Sequence, residues 1–319
     1  MNRLRVGLLM NPTAASGAAH RVGRQVAHLL RLAGLSVIDV SGPTAEIARA
    51  RALQVRDTLT ALIVVGGDGT ISLGAGVVAQ TPVRLGVVPA GSGNDFARAL
   101  GLPVLAAEES VQGIVRALSR PVVAIDAIEL SSADPDAPPM RSIAVGNVSL
   151  GFDALVNARG NRSGHRGPTR YAAAVMQEIR RFTPIPYWIE VDGGPREEID
   201  ASLLTVANTG VFGGGMRLVP DAVVDDGALS LVSLSGLGRA GLVRFFPRVY
   251  RGTHTSIDGF DMREVREVVV GVRDDRELRS YADGDSRALL PVRARILPGA
   301  VRILMDLQHS PAHGGELPS

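Results

Sequence analysis

The sequence predicts an α/β protein of two domains: a parallel sheet with helices on both faces, then an antiparallel β domain. Three observations point there. Strand-like and helix-like segments alternate through roughly the first third of the 319 residues. Three glycine-bearing turns, Asn11–Gly17, Gly66–Thr70 and Pro89–Asp95, each fall where an apolar strand runs out. From about Val122 the pattern changes to short strands separated by Gly, Pro and Asp. Alternation of strand and helix implies a parallel sheet, and such sheets bind ligands beyond the carboxyl ends of their strands.

Arg5–Met10 reads as the first strand, followed by the turn Asn11–Gly17. Ala18–Ala33 reads as a helix, because Val22, Val26, Leu29 and Leu30 recur on one face. Leu35–Val40 is the second strand and Thr44–Thr58 the second helix. Ala61–Val65 is a run of five apolar, largely β-branched residues, which fits a strand buried on both faces. A short helix is expected from Ile71, then a strand over Arg84–Val88 and the turn Pro89–Asp95. Val111, Ile114, Val115 and Leu118 have helical spacing.

The second part offers strands at Val122–Leu130, Ser142–Val148, Tyr187–Val191, Ser202–Val206, Ala228–Leu234, Glu264–Val272 and Leu278–Ala282. Ser131–Pro139 is a polar, proline-rich loop. Helices are expected at Thr169–Arg181 and Leu237–Arg251. The boundary falls near residue 127, and the tail from Gln308 is expected to be unstructured.

Composition excludes several chemistries. There is no cysteine, so disulfides, thiolate metal sites and cysteine nucleophiles are absent. All 34 basic residues are arginine, which removes Schiff-base and lysine-base chemistry. Aromatic residues are 4%, too few for a single-stranded nucleic-acid platform. No apolar run approaches the roughly 20 residues that span a bilayer, and the run after Arg5 is short for a signal peptide. A cytoplasmic protein is expected.

Gly66-Gly67-Asp68-Gly69-Thr70 carries the most chemistry. Glycines let the backbone approach a ligand, and N–H groups at a helix N-terminus attract phosphate. A carboxylate in that cradle, Asp68, needs a metal or a proton beside bound phosphates, which points to Mg²⁺-assisted phosphoryl transfer. Asn11–Gly17 taken alone reads as a turn with Ser16 as N-cap, but its position above a neighbouring strand of the same sheet tips it toward nucleotide contact. Gly91–Asp95 reads equally as a cap from Asn94 or Asp95 and as a phosphate turn, two compatible uses of the same N–H groups. Pro220–Gly227 holds three carboxylates, Asp221, Asp225 and Asp226, more than a turn requires, and fits an oxygen-ligand cation. Asp283-Gly284-Asp285 taken alone is a plain turn, yet a carboxylate there could serve as a base for a hydroxyl. On the segment 237–251, Leu242, Phe245, Phe246 and Val249 form an apolar stripe opposite Arg244, Arg248 and Arg251. Core packing of the stripe is favoured over membrane contact, and Pro247 weakens a continuous helix.

Taken in order, these turns, with Phe96-Ala97-Arg98, Gly151-Phe152-Asp153-Ala154, Pro220-Asp221-Ala222, Asp225-Asp226-Gly227 and Asp283-Gly284, resemble the bacterial soluble diacylglycerol kinase family. The resemblance runs to about Leu307, and its Gly-Gly-Asp-Gly core is shared with NAD kinases and phosphofructokinases. It implies a Rossmann-like nucleotide-binding domain over 1–127 and about 293–307, a β-sandwich over 128–292, and an active site in the cleft between them. It further implies ATP phosphates against Gly66, Gly67, Gly69 and Thr70, with Asn11, Ser16, Gly17, Gly91, Ser92, Gly93, Asn94 and Asp95 nearby. Asp68 would act at the phosphates and their Mg²⁺. A structural Mg²⁺ would take the Asp226 side chain with the Val223 and Ala228 carbonyls. The carboxylate after Asp-Gly would deprotonate the lipid hydroxyl. The family usually has glutamate there and this chain has Asp285, which withdraws the carboxylate by roughly 1.5 Å. A misplacement of about 1 Å can cost about 100-fold in rate.

The reading that results is an ATP-dependent lipid kinase converting diacylglycerol, or a related lipid alcohol, to phosphatidic acid in phospholipid synthesis. Its association with the inner membrane surface would be peripheral and reversible, and a homodimer is compatible with it. An NAD kinase is the first rival, against which stand the lack of an Asn-Glu pair after Asp68 and of a Thr-Gly-Ser-Thr-Ala-Tyr-like segment. A nucleotide- or lipid-binding protein with little catalysis is the second, motivated by Asp285.

Overall fold

Leu62, Ile63, Val64 and Val65 are fully buried, and the strand they form is flanked on both edges. That is what a continuous β-branched run requires. In the computed structural model, described for residues 3–10, 18–91, 93–104, 107–152, 154–155 and 183–305 (18–20 by backbone alone), this strand sits at the heart of the first of two units. One unit takes the chain up to Ile125 and again from Gly299; the other is Asp126–Pro298.

The first unit runs β1 (Arg5–Met10), α1 (Ala18–Leu32), β2 (Ser36–Asp39), α2 (Ala45–Val55), a 3₁₀ turn (Arg56–Thr58), β3 (Ala61–Gly66), α3 (Asp68–Val78), β4 (Arg84–Pro89), α4 (Asp95–Ala99) and α5 (Ala107–Ala117). The strands form a parallel sheet in the order β4-β3-β1-β2, in register from Val6 against Ala61 to Gly66 against Pro89. Thr44 caps α2 by accepting the Ile47 N–H at 3.3 Å. One apolar cluster joins Val6, Leu8, Ile63 and Val65 to Val26 and Leu30 of α1 and to Val111 and Ile114 of α5. The helix expected from Ile71 in fact begins at Asp68. Gly67 takes the N-cap conformation, so Asp68, Gly69 and Thr70 form the first helical turn. The acidic side chain there favours the helix start through the dipole.

The second unit runs β5 (Val123–Ser132), β6 (Arg141–Ala144), β7 (Asn147–Ser149), β8 (Ile185–Val191), β9 (Arg196–Ala207), β10 (Val211–Phe212), β11 (Met216–Arg217), β12 (Leu229–Ser235), α6 (Arg239–Arg251), β13 (Phe260–Val265), β14 (Glu267–Val272), β15 (Arg279–Ala282), β16 (Asp285–Leu289) and β17 (Val292–Ile303). β5 starts, and β17 ends, in residues of the first unit, where Ile303 pairs with Leu85 in parallel. Pairing is antiparallel along β16-β15-β7-β9-β8-β14-β17, with β12 between β9 and β13. This is the β-sandwich domain, its core drawn from alternate residues of β8, from Ala201–Ala207 of β9, from Leu229, Leu231, Val232 and Leu234 of β12, and from Leu242, Phe245, Phe246 and Val249 of α6.

Two expected strands divide. Ser142–Val148 breaks between β6 and β7, where Val145, Gly146 and Asn147 turn their N–H groups to a side chain. Glu264–Val272 breaks at Arg266, where the chain passes from β13 to β14 and Asp192 Oδ1 accepts the N–H groups of Arg266 and Glu267. β16 and most of β17 went unforeseen, because Arg-rich alternation such as Val292-Arg293-Ala294-Arg295 masks the apolar face. The helix expected at 169–181, Asp153 and the tail from 308 lie outside the described residues.

Candidate active site

The two glycine turns after β3 and β4 lie back to back. A Cβ on Gly67 would sit 3.1 Å from the Gly91 α-carbon, and one on Gly91 would collide with the Gly67 α-carbon. Only glycine permits that approach, and it brings two stretches of backbone N–H to one sheet edge. β3 and β4 end here together, with Ala90 N–H donating to the Gly66 carbonyl at 2.9 Å. The N–H groups of Asp68 and Gly69 belong to the first turn of α3, which has no intrahelical acceptor for them. Thr70 N–H instead donates to the Gly67 carbonyl at 2.9 Å, and its buried side chain packs beneath Gly66. Thr70 therefore supports the turn from below.

Asn94 closes the second turn. Its Oδ1 accepts the Gly91 N–H at 2.8 Å and its Nδ2 donates to the Gly91 carbonyl at 3.0 Å. It is 2% exposed, in the left-handed region at φ 56°, which Asn tolerates. Its side chain does not cap α4. That cap comes from the other turn: Asp68 Oδ1 accepts the Phe96 N–H at 3.0 Å. The expected Asn94 cap of α4 is thus not formed, because Asn94 is folded back on Gly91. Arg98 Nε donates to the Gly93 carbonyl at 3.2 Å and braces the same loop.

Asp68 Oδ2 and Asp95 Oδ2 converge beside Gly93, at 3.1 and 3.6 Å from where its Cβ would stand. Two carboxylates beside open backbone N–H groups are a hard-oxygen donor set that suits Mg²⁺ brought in by substrate phosphates. Among the described residues no group of three or more His, Cys, Asp or Glu could hold a metal by itself. Asn11, Ser16, Gly17 and Ser92 lie outside the described residues.

In the second unit the loop 223–228 is organised by Asp126, a residue absent from the expectations above. Asp126 is 1% exposed; its N–H donates to the Val224 carbonyl and its Oδ2 accepts the Gly227 N–H, both at 2.7 Å. The signal was a lone charge inside the apolar run Val122–Ile128. Asp226 is exposed, and its Oδ1 accepts the Ala228 N–H at 3.0 Å. One carboxylate with the carbonyls of Val223 and Ala228, as expected above, would be a sparse donor set, of the kind a cation that keeps most of its water takes.

Asp283 and Gly284, at φ 48° and 84°, form the two-residue type of turn that joins β15 to β16. Asp283 is structural: its carboxylate accepts the N–H groups of Val145, Gly146 and Asn147 at 2.9–3.0 Å. Asp285 opens β16, 3.5 Å from the Arg287 guanidinium, with 53% of its side chain open to solvent. Surrounding protein crowds it nonetheless and pushes its carboxyl above the usual aspartate value, while Arg287 pulls the other way. Arg287 Nε itself is buried with no hydrogen-bond partner among the described residues.

Both units resemble known protein domains. Residues 5–127 match the diacylglycerol kinase catalytic domain, and residues 146–305 match the YegS C-terminal NAD kinase beta sandwich-like domain. A diacylglycerol kinase of Mycobacterium tuberculosis is 32% identical over 97% of this chain and 96% of its own. One of Bacillus subtilis is 26% identical over 90% and 91%. The crystal structure of a diacylglycerol kinase from Bacillus anthracis superposes with a TM-score of 0.69 at 18% identity, over 97% of this chain and 99% of that one. Yeast NADH kinase shares the fold at a TM-score of 0.53 and 12% identity, over 95% and 83%. With both domains matched in order and a relative of this identity along nearly its whole length, the chain belongs to the bacterial diacylglycerol kinase family of lipid kinases.

Proposed function

We propose that the protein transfers the γ-phosphate of ATP to the hydroxyl of diacylglycerol, or of a closely related lipid alcohol, giving phosphatidic acid for phospholipid synthesis. The observation that carries the reading is the paired glycine turn, with Asp68 and Asp95 converging at Gly93. The N–H groups of Asp68 and Gly69, with those of the second turn not already donated to Asn94 or Asp68, would hold phosphate oxygens, as preorganised donors do best. Asp68 and Asp95 would hold Mg²⁺, which when bound neutralises charge on the phosphates. Asp226, with the Val223 and Ala228 carbonyls, would hold a second, structural Mg²⁺.

Asp285 takes the proton from the lipid hydroxyl. A carboxyl whose pKa is lifted toward the working pH is a stronger base while still ionised. Phosphate held at the first unit needs no covalent intermediate, so positioning and charge carry the catalysis. Lipid substrate implies peripheral, reversible membrane contact, since no described helix is long and apolar enough to cross a bilayer. A homodimer is compatible with this reading.

The shared fold of yeast NADH kinase makes NAD the competing acceptor. Purified protein incubated with γ-labelled ATP, Mg²⁺ and either diacylglycerol micelles or NAD separates the two. Labelled phosphatidic acid is expected. Labelled NADP, or no labelled lipid from folded protein, overturns the reading.

A further inference from the structure

We propose that the arginine face of α6 is the surface by which the protein docks on an anionic bilayer. The inference rests on the lipid-kinase reading only in needing a membrane substrate, and it names a surface that this reading leaves unassigned.

Thirteen residues of α6 contain Arg239, Arg244, Arg248 and Arg251 and no acidic side chain. Leu242, Phe245, Phe246 and Val249 are buried in the β-sandwich core, so the rotation of the helix is fixed. Arg244, Arg248 and Arg251, spaced by four and three residues, then form one stripe on the opposite, exposed face. Val243 and Tyr250, 43% and 42% exposed, lie together on one shoulder of that stripe. Arg217, exposed on β11, packs its stem beside Gly252 at the helix end and extends the cationic patch. Pro220 packs at that same helix end, and the exposed Asp221 follows it in the chain.

Most arginines elsewhere in this unit are paired with carboxylates. Arg196 pairs with Glu190, Arg263 with Glu197 and Asp261, Arg273 with Glu198 and Asp200, Arg276 with Asp274, and Arg293 with Glu267. Among the described residues no carboxylate pairs with Arg244, Arg248 or Arg251. Arg266 and Arg279 of the same sheet also have no carboxylate partner among the described residues, but α6 sets three such arginines on one helix face. A row of unpaired cations with an aliphatic and a tyrosine side chain on its shoulder matches the interface of an anionic membrane, where charge meets headgroups and tyrosine sits at their level. The apolar stripe is spent inside the domain, so attachment is electrostatic and reversible.

The α6 end is held firmly. His254, fully buried after the Gly252 cap, presents Nε2 to the Leu218 carbonyl at 2.9 Å and packs edge-on against Phe245 and Phe260. A rigid helix adds no backbone ordering cost on contact, leaving only that of the arginine side chains.

Each arginine near an anionic surface is worth roughly fivefold in partitioning, so three together give about 100-fold. Full-length protein is sedimented with vesicles of phosphatidylglycerol or of phosphatidylcholine, without nucleotide. Wild type is expected on phosphatidylglycerol alone, with binding that falls as salt rises. The combined Arg244→Gln, Arg248→Gln, Arg251→Gln variant is expected to lose about 100-fold, with thermal unfolding and turnover of detergent-dispersed diacylglycerol unchanged. A charge-matched control, Arg31→Gln, Arg49→Gln, Arg266→Gln, is expected to bind like wild type. Equal loss in both variants, or no binding by wild type, overturns the assignment. Wild type that fails to bind vesicles yet phosphorylates dispersed lipid sinks the docking surface and leaves the kinase reading standing.

Discussion

At the scale of single residues, Asp68 does two jobs: its Oδ1 caps α4 through Phe96 N–H, while its Oδ2 faces Gly93 beside Asp95. Asp68→Asn keeps an acceptor for Phe96 but removes the charge. Folding should survive, and phosphoryl transfer should fall by about 100-fold or more, read from kcat at saturating ATP. Asp285 separates catalysis from mere binding. If it is the base, Asp285→Asn lowers kcat by at least about 100-fold, and Asp285→Glu raises it by restoring the family's reach. A large gain with Glu and no change with Asn would instead favour a binding protein of little activity. The acid limb of kcat/KM should lie above the pH expected of an ordinary aspartate, because crowding disfavours the ionised form. Arg287 opposes that effect, so Arg287→Gln should move the limb further upward.

At the scale of elements, the two turns act as one unit. Gly91→Ala drives a methyl into the Gly67 backbone, where no flexible side chain can yield. The expected cost is about 1–3 kcal/mol in stability with loss of ATP binding, measured by denaturant titration and calorimetry. The anchoring of α6 gives a pH dependence of known sign. Burial holds the His254 pKa below its usual 6.5, with the Leu218 bond opposing. The unfolded chain therefore takes up the proton first, so stability is complete above pH 6.5 and drains as pH falls toward the folded value. His254→Phe should flatten that slope in thermal melts, at a cost of about 1 kcal/mol for the lost hydrogen bond.

The same elements show what a sequence can and cannot disclose. β1 and β3 were legible because apolar runs buried on both faces announce themselves. The start of α3 was not, because Asp68, Gly69 and Thr70 carry no apolar periodicity and the dipole, not a pattern, recruits them. Asn94 could be placed in a turn but not oriented, since closing on Gly91 or capping α4 uses the same atoms. Asp126 and Asp283 act on backbone more than 100 residues away in the chain, to Gly227 and to 145–147, and no local pattern reports such contacts.

At the scale of the molecule, each unit supplies one half of the proposed chemistry: phosphate-binding backbone in the first, base and membrane-facing cations in the second. The central claim is that main-chain N–H groups of the paired glycine turns receive the nucleotide. Amide hydrogen exchange on wild-type protein, with and without ATP and Mg²⁺, tests it most directly. Exchange should slow in the peptides that contain Gly67–Thr70 and Gly91–Phe96, and Asp68→Asn should weaken that protection. If ATP is turned over while these amides exchange at unaltered rates, the nucleotide binds elsewhere and the account fails.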